Sequence, residues 1–334
     1  LKRRVMRRFA VVKLASAEMA EKKLATRAAF GATLAELAEE GVPVVAVDAD
    51  LTGSTTTKKF AAAAPENADK LFNCGIAEQN MIDVAAGLAL TGHVAYTGSF
   101  AVFGTGRAYD QIRNTVCYSN LDVKICPTHA GVSVGPDGGS HQMLEDVSLM
   151  RGLPNMRVLV PADYAAARAA IKLAAKTPGP VYVRMGRAAV PCVYDADVEL
   201  ELGRAYVLRE GSDATIVACG VEIREALAAA DALAEEGISA EVVDAFSVKP
   251  LDEDTITVSV SKTGCCVVAE EHSVHGGLGS AVAECLARKN PAPCEFVGVQ
   301  DRFGKSGEFE ELLGYFNLDA AAIVEAVKRA MGRK

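Results

Sequence analysis

The sequence predicts an α/β protein of two domains, each with a largely parallel sheet flanked by helices. Short apolar runs alternate with segments whose apolar residues recur at helical spacing, and polar or glycine-rich loops follow several of the runs. Half of the 334 residues are hydrophobic, which is enough for a sizeable core and excludes intrinsic disorder. At roughly 150 residues per domain, the length suggests about two domains.

The longer series of alternating predicted strands and helices lies in the first 190 residues. Residues 22–40 have apolar residues at helical spacing, and Gly41 supplies a stop signal for that helix. The apolar run 42–47 then predicts a buried strand. Further strands are predicted at 93–96, 123–126, 158–160 and 181–184, with helices at 78–90, 105–118 and 164–176. Strands separated by helices are typical of a parallel sheet covered on both faces.

The alternation stops at residues 191–204 and then restarts. That segment is rich in acidic residues and lacks periodicity, so we interpret it as a linker between domains at 19–190 and 205–334. The second domain is predicted to contain strands at 214–218, 240–244 and 265–269, and helices at 223–236, at 278–288 and from 320 onward. Residues 1–18 begin with a stretch that has six basic residues and no signal-peptide pattern, and we expect a disordered or upstream extension there.

Charge and composition exclude several classes of protein. The formal net charge is −8, whereas nucleic-acid binding favours a basic domain. No apolar run approaches the roughly 20 residues of a membrane span, so no membrane partner is expected. The nine cysteines include no CxxC pair and no zinc-ligand spacing. We therefore expect reduced thiols, a cytoplasmic location and no metal ligands in this chain.

Four polar loops are candidate ligand sites, because ligands of parallel sheets bind at the carboxyl ends of the strands. Each loop also has a plain structural explanation. Glu78 could simply favour the first turn of its helix, and Phe100 and Phe103 could belong to the core. His129 and His141 could be satisfied by nearby backbone groups. The four loops are 48–54, 73–80, 97–103 and 128–141.

In order and spacing, these loops resemble the transketolase family of thiamine diphosphate enzymes. The resemblance runs from about residue 21 to the C-terminus and covers only the family's pyrimidine-binding and C-terminal domains. The family's diphosphate-binding domain, with its metal-ligating Gly-Asp-Gly motif, has no counterpart here. The matching stretches are 49–54, 75–81, 99–103, 108–113, 129–141, 153–156, 161–163, 244–252, 275–279 and 302–307.

The resemblance implies the C-terminal subunit of a split transketolase. Such a subunit would act in pentose phosphate metabolism, transferring a two-carbon ketol unit between sugar phosphates with bound thiamine diphosphate. A separate N-terminal subunit would hold the diphosphate and its Mg²⁺ or Ca²⁺. Homodimerisation of this chain would give a heterotetramer, and the second domain would serve dimerisation and structure.

The resemblance also implies roles for single residues. Glu78 matches the glutamate that binds N1′ of the aminopyrimidine. Phe100 matches the aromatic residue that stacks on that ring, and Phe103 matches a neighbouring aromatic residue in the same pocket. Asp50 would lie near the cofactor. Gly104, Thr105 and Gly106 stand where the family often has a further aromatic residue, so the pocket is either looser or filled by a partner chain.

The remaining matches concern a phosphorylated sugar. His129 and His141 match positions that contact the hydroxyls or the phosphate end of the substrate, where imidazole can shuttle protons. The matches to phosphate-binding positions are Arg27, Ser54 and Arg187, and Asp137 matches an aspartate that recognises a sugar hydroxyl. Guanidinium groups suit phosphate because each can donate two hydrogen bonds.

Three other functions remain open at this point. The β subunit of a 2-oxo-acid dehydrogenase has the same two-domain plan, but the loop at His129 and residues 153–156 favour transketolase. Deoxyxylulose-phosphate synthase usually carries arginine where His129 stands. A non-catalytic interaction subunit is disfavoured because Glu78, Phe100 and His129 are all present.

Overall fold

The computed structural model describes residues 12–334 and confirms the α/β class. The strands of the first part are β1 Lys23–Ala25, β2 Val44–Asp48, β3 Leu71–Asn73, β4 Val94–Gly98, β5 Val123–Ile125, β6 Arg157–Leu159, β7 Val181–Val183 and β8 Ala189–Pro191. The α-helices are α1 Ala17–Ala20, α2 Ala29–Glu39, α3 Thr52–Thr55, α4 Thr57–Ala63, α5 Pro65–Ala68, α6 Glu78–Leu90, α7 Tyr109–Gln111, α8 Asp146–Arg151 and α9 Tyr164–Lys176.

The second part repeats the alternation on a smaller scale. Its strands are β9 Tyr206–Arg209, β10 Ala214–Ala218, β11 Ala240–Asp244, β12 Ser247–Lys249, β13 Cys266–Ser273 and β14 Cys294–Val299. Its helices are α10 Glu222–Glu235, α11 Glu253–Thr263, α12 Leu278–Lys289, α13 Phe309–Phe316 and α14 Ala320–Met331.

Within the described residues, these strands form two large sheets and one short ribbon. The first sheet has the order β12-β6-β7-β5-β4-β2-β3 and is parallel except for β12. The second has the order β14-β13-β10-β11-β9 and is parallel except for β9. Strand β12 belongs by sequence to the second half of the chain but pairs with β6 of the first sheet. The first sheet therefore contains strands from both halves of the chain.

The predicted helix at 22–40 is correct only from residue 29 onward. Residues Lys23–Ala25 form β1, which pairs antiparallel with β8, and a short 3₁₀ turn at Thr26–Ala28 leads into α2. Leu24 and Ala28 fit the helical spacing by chance, since strand pairing with a segment some 165 residues away leaves no local signal. The predicted helix at 105–118 is present as a broken one, with π-helical segments at Val102–Arg107 and Ile112–Cys117.

The segment interpreted as a linker is partly buried. Cys192, Tyr194, Val198 and Leu200 are each less than a tenth exposed and pack into the core. Of the predicted N-terminal extension, residues 1–11 lie outside the described residues, whereas Leu14 forms a bridge with Tyr194. Both ends of the first part of the chain therefore meet at this segment.

Tyr194 anchors the segment through a buried hydrogen bond to the second sheet. Its hydroxyl donates to the carboxylate of Asp244, at the end of β11, and both side chains are fully buried. Burial raises the pKa of Asp244 to about 7. The hydrogen bond from the Tyr194 hydroxyl thus offsets part of the free-energy cost of removing the Asp244 carboxyl group from water.

Tyr194→Phe is expected to lower the free energy of unfolding by about 1–3 kcal/mol, because it leaves Asp244 buried without that donor. Urea unfolding followed by circular dichroism measures the change. Tyr315→Phe is the matched control, since Tyr315 is about half exposed, and a change below about 0.5 kcal/mol is expected there. Equal losses in the two variants would contradict the role of the Tyr194 hydroxyl.

Candidate functional site

The predicted site residues lie where parallel strands of the first sheet end. Strands β2, β3, β4, β5 and β7 run in the same direction, so the loops that follow them leave the sheet at one edge. Each loop carries one or more of the predicted residues. In the order of the strands that they follow, these are Asp50 and Ser54 (after β2), Glu78 (after β3), Phe100 and Phe103 (after β4), His129, Asp137 and His141 (after β5), and Arg187 (after β7). Arg27 comes from the 3₁₀ turn before α2.

The loop after β2 is shaped by a buried carboxylate. Asp48 accepts hydrogen bonds from the hydroxyls of Thr55 and Thr57 at 2.8 and 2.9 Å, and burial raises the pKa of Asp48. These bonds turn the chain back over the strand end. The turn brings the carbonyl of Ser54 within 2.9 Å of Nη1 of Arg27. Ser54 therefore meets Arg27 through its backbone.

Asp50 lies at the exposed outer part of the same loop. Its φ is 63°, in the left-handed region, and its backbone N–H donates to Oδ1 of Asn73 at 3.0 Å. The same Oδ1 accepts from the N–H of Gly75, at the start of the loop that leads to Glu78. Within residues 12–334, no described contact joins the Asp50 carboxylate to another predicted site residue.

Glu78 is the first residue of α6 and is buried, with 2% of its surface exposed. Its Oε2 accepts a hydrogen bond from Nη1 of Arg107 at 2.8 Å. The Arg107 guanidinium also lies over the ring of Phe103, 4.6 Å from its centroid. The sequence analysis missed Arg107. An arginine four residues after an aromatic residue is a usable signal, because such positions are neighbours on a helix.

An aromatic stack connects Phe103 to the histidines. The Phe100 ring lies 3.7 Å from the His129 ring and 6.1 Å from the Phe103 ring, and is nearly parallel to both. His141 meets the Phe103 ring edge-on at 5.5 Å. Phe100 and Phe103 thus form a layered aromatic surface that contacts Arg107 on one side and the two histidines on the other.

His129 is neutral at neutral pH in this setting. Its side chain is 98% buried, its φ is 60°, and its Nδ1 lies 2.7 Å from Oγ1 of Thr128. Burial lowers the pKa of His129 to about 3, and the positive charges of Arg27 and Arg187 contribute to the shift. A neutral imidazole presents one N–H donor and one acceptor nitrogen, which suits hydrogen bonding to the hydroxyls of a ligand.

Two arginines form a cationic region next to His129. Burial lowers the pKa of Arg27, the charge of Arg187 lowers it further, and Asp137 acts in the opposite direction. Arg187 donates from Nη1 to the carbonyl of Val134 at 2.8 Å. The two guanidinium groups are thus close enough to repel each other, and an anion bound between them would relieve that repulsion.

The segment between the two histidines is held by the second half of the chain. Gln142 is buried and donates from Nε2 to the carbonyls of Val132, Gly135 and Lys305, while its Oε1 accepts from the Lys305 N–H. A Cβ on Gly304 would lie only 1.8 Å from that oxygen, so a side chain at this position would displace the Gln142 amide from its hydrogen bonds. The stretch 302–307 therefore contacts the site segment. The second domain was expected to serve only dimerisation and structure.

The described residues contain no group of three or more His, Cys, Asp or Glu side chains arranged to hold a metal ion. No helix within the same part of the chain is long and apolar enough to cross a membrane.

His129 is expected to remain neutral from pH 8 down to about pH 4 in the folded chain, because burial and two arginines disfavour its cation. An NMR titration of ¹⁵N-histidine-labelled protein, assigned with His129→Gln, measures the midpoint. Arg27→Met should raise that midpoint, since one repelling charge disappears. A wild-type midpoint near 6.5 would contradict the assignment.

The same shift has a consequence for stability. The unfolded chain binds this proton near pH 6.5, whereas the folded chain does not bind it until about pH 3. The contribution of His129 to the free energy of unfolding therefore decreases as the pH falls from 6.5 towards 3. His129→Gln should make the measured dependence on pH less steep in that window.

Comparisons with known proteins agree with this architecture. A family model of the transketolase pyrimidine binding domain matches residues 22–193, and one of the transketolase C-terminal domain matches residues 203–323. The putative transketolase C-terminal section of Methanocaldococcus jannaschii is 45% identical over 311 residues, which are 92% of this chain and 96% of that protein.

Two further relatives are of the same kind. The 6-deoxy-6-sulfo-D-fructose transketolase subunit SqwH of Clostridium sp. is 43% identical over 301 residues, covering 90% of this chain and 92% of that subunit. A solved structure described as a split gene transketolase, inactive β4 tetramer, is 50% identical with a TM-score of 0.85, covering 93% and 99% of the two chains. This chain belongs to the transketolase family and corresponds to the C-terminal section of its split members.

Proposed function

We propose that this chain is the C-terminal subunit of a thiamine diphosphate-dependent transketolase. Together with an N-terminal, diphosphate-binding subunit, it transfers a two-carbon ketol unit from a ketose phosphate to an aldose phosphate. The observation that carries the proposal is a row of contacts that joins Glu78, Arg107, Phe103, Phe100 and His129 in that order. At the His129 end, the positive charges of Arg27 and Arg187 are close enough to lower the pKa of the imidazole. One end of the row suits a flat nitrogen heterocycle, and the other suits an anion.

The Arg107 side chain supports the fit of an aminopyrimidine ring. Its guanidinium is planar, lies on the face of Phe103 and donates an N–H to the buried carboxylate of Glu78. A flat ring with an N–H edge needs the same two partners, an aromatic face and a carboxylate acceptor. The aromatic face of Phe103 and the carboxylate of Glu78 thus support the binding of the pyrimidine ring of thiamine diphosphate in place of the guanidinium.

The chain's own residues then have distinct tasks. When bound, thiamine diphosphate supplies the electron sink for breaking and forming the carbon–carbon bond. Glu78 holds a proton at the ring nitrogen that it binds. His129, neutral and buried, makes a hydrogen bond to a substrate hydroxyl and orients it, and His141 lines the same space from the edge of Phe103.

The cationic region recognises the far end of the sugar. Arg27 and Arg187 bind the terminal phosphate, and the Ser54 carbonyl keeps Arg27 in place. Asp137 is exposed beside the arginines and accepts a hydrogen bond from a sugar hydroxyl. A carboxylate in that position discriminates against substrates that lack the hydroxyl.

We propose that a partner subunit supplies the diphosphate and metal site. The N-terminal subunit binds the diphosphate and its Mg²⁺ or Ca²⁺, and two copies of each subunit form a heterotetramer. We propose that the assembly is cytoplasmic and serves pentose phosphate metabolism. The nine free cysteines support a reducing compartment.

Glu78→Gln is expected to lower kcat of the reconstituted complex by about 10²–10⁴-fold, because the amide cannot hold the proton. The assay combines this chain, its partner, thiamine diphosphate and Mg²⁺ with a ketose phosphate donor and an aldose phosphate acceptor. Glu66→Gln is the matched control, since Glu66 also lies in the first turn of a helix but is exposed. Wild-type turnover in Glu78→Gln would mean that Glu78 only stabilises the start of its helix. In a separate assay, full activity of the isolated chain would refute the split-subunit proposal.

Arg187→Met is expected to raise KM for a phosphorylated donor by about 10–100-fold, because one charge-assisted contact to phosphate is lost. KM for the same sugar without phosphate should change little. Arg209→Met serves as the control, since Arg209 pairs with Asp231 far along the chain from the site. Equal effects on the phosphorylated and free sugars would refute the phosphate role.

A further inference from the structure

Besides the stretch 302–307, the second domain contacts the site segment through a buried carboxyl group. Glu271 lies on β13 with 3% of its surface exposed, and its Oε1 accepts a hydrogen bond from the backbone N–H of Ser133. A Cβ on Gly131 would lie 2.2 Å from Cδ of Glu271, so the carboxyl group packs directly against the Gly131 backbone. Gly131 also has a φ of 80°, which other residues rarely adopt.

Glu271 is itself fixed by a buried arginine. Arg184 donates from Nη2 to the Glu271 carbonyl at 3.0 Å, and its Nη1 lies 3.8 Å from Oε2 of the same residue. Arg184 is in turn held by both carboxylate oxygens of Asp146, at 2.7 and 3.1 Å. The Glu271 carboxyl group therefore has a defined position from which to hold Ser133.

Ser133 lies between two residues that the proposed function uses. His129 precedes it by four residues, and Val134, whose carbonyl accepts from Arg187, follows it directly. Among the described residues, the backbone from 129 to 137 belongs to no strand: it has one isolated bridge, from Ala130 to Met143, and one short 3₁₀ stretch. The hydrogen bond at Ser133 joins those of Gln142 to Val132 and Gly135, and it is the one that lies between the imidazole and the residue that holds the guanidinium.

We propose that Glu271 is a positioning residue for ketol transfer, which holds the backbone at Ser133 so that His129 and Arg187 meet the substrate. The inference rests on the proposed function for its effect on catalysis. Its structural part, the protection of the Ser133 amide by Glu271, holds for the chain alone. The second domain then contributes to the site without touching the substrate.

Two substitutions separate the hydrogen bond from simple packing. Glu271→Met keeps a similar volume but removes the acceptor, whereas Glu271→Gln keeps an acceptor oxygen of the same reach. Glu222→Gln is the control, because Glu222 is also a fully buried carboxyl group of the second domain, and neither of its oxygens has a hydrogen-bond partner within the described residues.

The first measurement is hydrogen–deuterium exchange of the Ser133 amide in the full chain. We expect a protected amide in the wild type, in Glu271→Gln and in Glu222→Gln, and at least tenfold faster exchange in Glu271→Met. Thermal unfolding of each variant checks that the change is local. An unprotected Ser133 amide in the wild type would overturn the proposal even if Glu271→Met failed to fold.

The second measurement is steady-state kinetics of the reconstituted complex. We expect Glu271→Met to lower kcat and to raise KM for the phosphorylated donor, each at least fivefold, with Glu271→Gln and Glu222→Gln within about twofold of the wild type. Wild-type kinetics in Glu271→Met would overturn the positioning role. An inactive wild-type complex would instead count against the proposed function, while amide exchange would still decide whether Glu271 holds Ser133.

Discussion

The buried guanidinium of Arg184 is the contact on which both domains and the site segment depend. It follows β7 directly, is 7% exposed, and binds both carboxylate oxygens of Asp146 at the start of α8. Its Nη2 also donates to the carbonyls of Met143 and Glu271, one in each half of the chain. Removing one partner of a buried ion pair costs about 3–5 kcal/mol, so these elements are constrained to stay in register.

Much of the fold could be predicted because it is encoded locally. The fully buried strands β2, β4 and β10 are short apolar runs, and a run of that length is more often a buried strand than a helix. Their predicted bounds agree with the structure to within two residues. Strands β1 and β12 were missed because their pairing depends on partners far away in sequence. A three-residue strand carries too little pattern to be distinguished from a loop or a helix end.

The same distinction applies to the site. Most candidate residues stand in polar loops after predicted strands, and parallel strands bring such loops to one edge. Arg27 and Arg187 lie outside those loops and were found from the resemblance to the transketolase family alone. Gln142 and Glu271 could not be found in this way, since their roles come from the residues that they contact in the fold. Arg107 was missed although its position four residues after Phe103 offered a signal. Glu271 in particular looks like an ordinary acidic residue in sequence, and only its burial against Gly131 distinguishes it.

Because Arg107 already donates a hydrogen bond to Glu78, a ligand that binds this carboxylate must replace the guanidinium. Any ring that donates an N–H to Glu78 from the Phe103 side competes with the guanidinium already there. The released guanidinium regains water, so the net affinity is the small difference between two well-bonded states. Dissolved salt screens the ion pair more than it screens a neutral hydrogen bond, and therefore shifts this competition in favour of the incoming ring.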